Sequence, residues 1–250
     1  MNRKIQVSEV PRWSKLALLF LLLIVTALGL LFAQSTGEGK NETRFQEHLR
    51  KAREQGLQEI EMPPSRGIPA VVGSLKEAFQ VETVLLVQLE DEKSVLAKDE
   101  SQIWTWYKFK VIQNLSNKSL PAGQIGTTQM SSTVPSSFLS LNADEILVRQ
   151  EGGNIQSGGI TVKSPHLHGG FEGGQKYLLF VNFYPYDKTD MPTRAGEIDL
   201  GASGIYKVSN TGQIEPISSK AADSAIARDL NSIYGNSLSS LQANLNNLNK

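Results

Sequence analysis

IWTWYKFKVIQN, residues 103–114, alternates in a way that a strand explains and a helix does not. Ile103, Tyr107, Phe109 and Val111 share one face; Trp104, Trp106, Lys108 and Lys110 share the other. Upstream, VETVLLVQLE (81–90) is a second β run. Downstream, YLLFVNFY (177–184) is almost continuously apolar, the pattern of a central strand buried on both faces. Between them, EILVRQ (145–150) reads as a short strand ended by Gly152-Gly153, and ITVK (160–163) as another entered through Gly158-Gly159. Residues 205–209 and 213–217 flank Asn210-Thr211-Gly212, a hairpin turn signal. Residues 115–126 and the Ser-rich stretch 131–142, with its Pro135, read as loops. About seven short strands with glycine-rich turns predict a mainly β fold, an antiparallel barrel or sandwich. No helix-rich stretch separates the strands, which argues against a doubly wound α/β sheet.

Before the first β run, Ser74-Leu75-Lys76-Glu77 has capping-box spacing and predicts a short helix over 75–79. Residues 219–250 carry Ile226, Leu230, Ile233, Leu238, Leu241, Leu245 and Leu248, mostly at helical intervals, with Gly235 interrupting. They predict one broken helix or two short ones, packed on the barrel, self-associating or frayed. Residues 42–57 (ETRFQEHLRKAREQGL) are helical in composition, with Phe45, Leu49 and Ala52 on one side, and suit a surface or stalk. Pro63, Pro64, Gly67 and Pro69 break the chain after them.

The apolar stretch that begins at Leu16 and ends at Ala33 (LALLFLLLIVTALGLLFA) holds no charge. At 1.5 Å per residue it reaches about 27 Å, close to the ~30 Å of a bilayer's hydrocarbon core. Arg3, Lys4, Arg12 and Lys15 precede it against Glu9, which places the N-terminus in the cytoplasm and the body outside it. Two alternatives stand. The stretch is an uncleaved single-pass anchor, or it is the core of a cleaved signal peptide. For the second it is long, and Leu31 sits at the −3 position of a cut after Ala33. A cut after Gly29, with Ala27 at −3, has better small residues but falls inside the apolar run. The expected organisation is a basic segment 1–15, the apolar segment 16–33, a linker with a charged helix 34–73, a β domain 74–218 and a helical segment 219–250.

The formal net charge is zero. Residues 1–33 take four of the 25 basic residues and one of the 25 acidic ones, leaving 21 against 24 in the rest. Such a body lacks the basic face that nucleic acid requires, so no nucleic-acid partner is expected. The chain has no cysteine. That excludes disulfide scaffolds, thiolate metal sites, cysteine nucleophiles and lipoprotein acylation.

Several of these segments together resemble a group of exported bacterial β domains. The resemblance is carried by Ser74-Leu75 leading into the strand at 81–87, by Pro121-Ala122-Gly123 after the second strand, and by EILVRQEGG at 145–153. Its most specific piece is Gly174-Gln175-Lys176-Tyr177-Leu178-Leu179-Phe180 before the central strand. The match covers roughly residues 74–210 and is similar to the netrin/tissue-inhibitor-of-metalloproteinase-like OB barrels. The resemblance implies an OB-like antiparallel Greek-key barrel of five or six strands. It carries over no functional residue, since the inhibitor mechanism uses an N-terminal cysteine that this chain lacks. The Ser-rich stretch 131–142 and the extra N-terminal helix depart from the pattern.

Two constellations suggest chemistry. His166 and His168 stand at i, i+2, which on a strand turns both rings to one side, where they could reach one metal ion. A third ligand would have to come from Glu172 or Asp187, since His48 lies in a separate helix. Trp104 and Trp106, with Lys108 and Lys110 on the same face, could form a stacking platform for a glycan or peptide. Another element, such as the C-terminal helix, could instead cover the two indoles. No Gly-x-Ser-x-Gly elbow or phosphate-binding GxxxxGK[ST] run is present. The carboxylates of Glu90-Asp91-Glu92 and Asp99-Glu100 are expected as solvated charges in the link between the first two strands. The expectation is a non-catalytic envelope domain without cofactor, binding a protein, a glycan or itself. The alternative is a metal-dependent hydrolase using His166 and His168.

Overall fold

The longest strands, β2 (Thr83–Leu96) and β3 (Ile103–Asn114), pair antiparallel from Leu85↔Asn114 to Leu96↔Ile103. The computed structural model describes residues 42–63, 68–121, 134–138, 140–183 and 194–250. The basic segment 1–15, the expected anchor or signal segment 16–33 and the Ala122-Gly123 part of the resemblance lie outside these residues. Among the described residues no helix is long and apolar enough to cross a membrane. Contacts divide the chain after Glu42, and the second unit, Thr43–Lys250, holds every element named below.

The β2–β3 pair is longer than expected. Glu90, Asp91 and Glu92 lie inside β2, not in a link, and the turn falls at residues 97–102. Their side chains are exposed, so no buried face marks this part of the chain as a strand. The ladder continues because Trp106, Thr105 and Trp104 stand opposite Lys93, Ser94 and Val95 and keep the pairing going. Register shifts at Leu86/Val87 and Leu89/Asp91 bend the strand.

β4 (Glu145–Glu151) pairs antiparallel with β3, and β7 (Lys176–Phe183) pairs antiparallel with β2. Tyr177 to Val181 are all buried, as their continuous apolar run requires. β8 (Ala195–Glu197) lies between β4 and β7, parallel to the first and antiparallel to the second. The pairings therefore run in a circuit, β7–β2–β3–β4–β8 and back to β7. β9 (Ile205–Val208) shares the edge of β7 with β8, and β10 (Ile214–Pro216) continues from β9 through the Asn210-Thr211-Gly212 turn. Leu85, Val87, Tyr107, Phe109, Ile146, Val148, Tyr177 and Leu179 form the core that the circuit shares.

A smaller sheet sits beside this one. It consists of β5 (Gly153–Ser157), β6 (Ile160–Ser164) and β1 (Glu59–Glu61), with β1 parallel to β6. Helix α1 (Arg44–Glu54) buries Phe45, Leu49 and Ala52 against Ile103, Ile160 and Val162. The charged helix is thus a surface element with one docked face, not a stalk. The molecule is mainly β, with sheets of mixed orientation. The expectation of uniformly antiparallel pairing is corrected by β4–β8 and β1–β6, which no local pattern signals because both pairs join distant segments.

Helix α2 (Leu75–Val81) starts as its capping residues dictate: the Ser74 hydroxyl accepts from the Glu77 N–H. The Glu77 carboxylate accepts from the N–H of Gly73. The C-terminal segment folds as four short helices, α3 (Ser219–Ala222), α4 (Ala225–Tyr234), α5 (Leu238–Ala243) and α6 (Leu245–Leu248). Ser218, Ser224 and Ser237 each cap a new helix, and Gly235 ends α4 at φ +59°. These helices pack with α2 on the side of β7 and β9 away from the shared core, through Ile226, Leu230, Leu241 and Leu248 against Phe79, Leu178 and Tyr206. One charged bond ties them to α2: Asp229 Oδ2 accepts from the Leu75 N–H at 2.7 Å. Asp229→Ala should lower stability by about 1.5–3 kcal/mol, the range for a hydrogen bond to a charged group, measured by urea unfolding.

Candidate functional site

Trp104 and Trp106 do not form an open pair. Trp106 is fully buried, packed with Phe138, Leu147 and Ala195. Its cover is the 3-10 turn Ser136–Phe138 of the Ser-rich stretch together with β8, not the C-terminal helices. Trp104 is half-buried. The two lysines are matched by carboxylates: Lys108 lies 3.3 Å from Glu145 and 3.5 Å from Glu90, and Lys110 lies 3.8 Å from Asp144.

What remains on that face is a cross-strand stack. Arg149 stands opposite Trp106 in the β3–β4 register, and its guanidinium carbon lies 4.1 Å from the Trp104 ring centre and 5.7 Å from that of Trp106. Its Nε donates to Glu197 Oε1 at 2.8 Å, and Nη2 donates to the same oxygen. Glu197 is opposite Arg149 in β8 and is the last residue of the β4–β8 ladder. Beyond it residues 198–200 leave the sheet while β4 runs on through Gln150 and Glu151. The ending of that ladder leaves a gap in the circuit.

A cavity of about 230 Å³ occupies the gap, lined by Trp104, Arg149, Gln150, His168, Glu197 and Asp199 among others. A second cavity of about 320 Å³ adjoins it, lined by Ile68, Pro69 and Ala70, and shares Leu167, His168 and Asp199 with the first. Leu167 is placed by its N–H, which donates to the Glu151 carbonyl at 3.1 Å. His168 is placed against Gly201, whose φ is +59° and where an added Cβ would stand 3.1 Å from the imidazole Cε1. The Asp199 carboxylate accepts from the Asn182 amide at 2.8 Å, and the Asp199 carbonyl accepts from the Ala70 N–H.

Gln150 is the unusual member. It is 4 % exposed, and among the described residues neither Oε1 nor Nε2 has a hydrogen-bond partner. An unpartnered buried amide costs about 1–3 kcal/mol, and this one is sealed from solvent on the core face of β4, opposite Arg149, so the residue borders the cavity without aiming its amide into it. The alternation of β4 carries a signal that the motif-based expectations do not use. Ile146 and Val148 belong to the shared core, and Gln150 is the next residue at that period, a polar group where the pattern calls for an apolar one.

The two histidines are separated. β6 ends at Ser164 and residues 165–168 turn, so the same-side rule for i, i+2 on a strand does not apply to them. His166 lines a different cavity, of about 330 Å³, with Glu59, Glu61 and Lys163, and its Nδ1 lies 3.1 Å from the Tyr107 hydroxyl. Among the described residues no three metal-ligating side chains converge. Glu172, one suggested third ligand, is paired with Lys207 at 2.6 Å; the other, Asp187, lies outside the described residues. Burial holds both imidazoles below the usual histidine value, and at His168 the Lys220 ammonium adds to it, so both are neutral at pH 7. A neutral imidazole offers one donor and one acceptor.

The site is therefore a cleft at the end of the β4–β8 ladder with one partly open indole, a matched Arg–Glu pair and a neutral imidazole. No family model and no curated protein matches this chain.

Proposed function

We propose that the protein is a non-catalytic binding domain held or released outside the cytoplasmic membrane, and that it takes a glycan in the cleft between β4 and β8. The observation that carries the reading is the cross-strand stack of Trp104, Arg149 and Glu197 on the wall of the cavity. With His168 it brings together groups that recognise uncharged polar ligands: an indole, a guanidinium whose charge is already matched, and a neutral imidazole. A concave site of this kind suits a small saccharide better than a protein surface. With the adjoining space, the cleft falls in the roughly 300–1,000 Å³ range of small-molecule sites.

The compartment rests on the length and charge flanks of the stretch from Leu16 to Ala33. The circuit of pairings supports an OB-like Greek-key barrel. β7 returns to lie beside β2, giving the order β7–β2–β3–β4, and β8 brings the ring to five strands. The hydrolase alternative has less behind it, because His166 and His168 line separate cavities.

The test is capture of full-length protein on an array of hexose, hexosamine and uronate oligosaccharides. At least one class should be held by the wild type and released by Trp104→Ala and Arg149→Ala. Gln150→Leu should melt at the same temperature as wild type or higher, since it removes a buried unsatisfied group. Capture of no glycan by a folded wild-type protein would end this reading.

A further inference from the structure

We infer, resting on the glycan reading above, that the cleft takes an uncharged disaccharide: one ring against Trp104 and Arg149, the next against Ile68, Pro69 and Ala70, with His168 and Asp199 at the join. The cavities of about 230 and 320 Å³ are not independent. Leu167, His168 and Asp199 line both, and they are half of the six residues that line the larger one. A single ring seated on the indole leaves the larger space to water. A second ring linked to the first follows the shared wall into it.

The larger cavity has the surface that a sugar ring covers. Ile68 is 96 % exposed, a large apolar side chain left to water, with Pro69 and Ala70 beside it. The C–H face of a pyranose laid over it removes apolar area from water. The segment that carries these residues is pinned in place. The Ala70 N–H donates to the Asp199 carbonyl at 2.7 Å, and a Cβ added at Gly201 would stand 3.0 Å from the Cβ of Pro69. At the join the polar groups suit hydroxyls: the Asp199 carboxylate, oriented by the Asn182 amide, accepts from them, and the neutral His168 offers one acceptor nitrogen. In the smaller cavity Arg149 spends Nε and Nη2 on Glu197, while Nη1 makes no bond among the described residues and remains a donor. Charge sets the class of sugar. The smaller cavity is lined by the carboxylates of Glu151, Glu197 and Asp199 against the one guanidinium of Arg149, so a uronate meets like charge and a neutral ring does not.

The test is calorimetric titration of the full-length protein with the one-, two- and three-ring members of the glucose, galactose, mannose and N-acetylglucosamine series. In the series that binds, the second ring should tighten binding about tenfold, the return on roughly 1.4 kcal/mol of added contact, and the third should change it little. Ile68→Ser, at an exposed position that folding does not depend on, should remove most of that gain and leave one-ring binding unchanged. Equal affinity for one and two rings would overturn this inference and leave the glycan reading standing. So would a further tenfold gain at the third ring, or a two-ring gain untouched by Ile68→Ser. Array capture of charged sugars alone would also overturn it without touching that reading. Capture of no glycan on the array and no heat in any titration would remove both together.

Discussion

Trp106→Ala should destabilise the protein by about 3–5 kcal/mol, the cost of emptying a well-packed aromatic site. Trp104→Ala should cost far less. The two indoles sit two residues apart on one strand, so composition and local backbone are matched. What differs is cover. Trp106 has no exposed surface and packs with Phe138, Leu147 and Ala195, while Trp104 is half-buried beneath one guanidinium. Trp106 Nε1 has no hydrogen-bond partner among the described residues, so Trp106→Phe loses volume without losing a bond and should be milder than the alanine change. Phe138→Ala should weaken the same cluster from the other side. Combined with Trp106→Ala it should cost less than the sum of the singles, because the contact is shared. Urea unfolding of these variants measures all of this. Equal stability of Trp104→Ala and Trp106→Ala would mean that the Ser-rich stretch does not close over β3.

Glu82→Gln should raise stability at pH 8 by up to about 3 kcal/mol and change it little at pH 4.5. Glu82 is buried between α2 and β2, and its Oε2 has no partner among the described residues. Burial, then the negative charge of Asp199, push its carboxyl up to about 7, against the opposing pull of Lys118. A carboxyl whose value is higher in the folded state than in the unfolded chain holds its proton longer when folded. Its contribution to stability is therefore fully present below the unfolded value near 4.5 and lost as pH rises through 7. Glutamine keeps the shape and carries no charge to bury, so the variant should escape that loss. The measurement is the difference in unfolding free energy between the two proteins from pH 4.5 to pH 8. A difference that stays flat across the window would contradict the burial of an uncompensated carboxyl. Asp199 faces the cleft, so the same residue links Glu82 to the proposed binding site.

Much of the fold is legible in local pattern, and the candidate site mostly is not. The continuous apolar run of β7, the Ser74 cap, the Asn210-Thr211-Gly212 hairpin and the docked face of α1 all follow from periods and turn chemistry within about a dozen residues. The alternation of β3 also separates its two faces. It does not tell which face meets solvent, because the group that covers Trp106 is a phenylalanine inside a loop distant in sequence. β8 is hidden for a related reason. Ala195-Gly196-Glu197 has no strand character of its own and is a strand only because β4 and β7 lie on either side. Since the cleft begins where β8 ends, the site depends on pairing between segments far apart in the chain. Gln150 is legible only as an exception to the core pattern, a polar residue in step with Ile146 and Val148. The paired histidines point elsewhere because their spacing turns both rings to one side only on a strand, and the chain turns there.

Ligand binding should bring a sugar against the open part of the Trp104 indole. The observable closest to this event is the indole N–H NMR signal of Trp104, assigned by its loss in Trp104→Phe, before and after addition of the glycan that the array captures most strongly. That signal should shift on saturation. An indole signal that stays unmoved while the glycan binds would place the ligand somewhere else and contradict the assignment of the cleft.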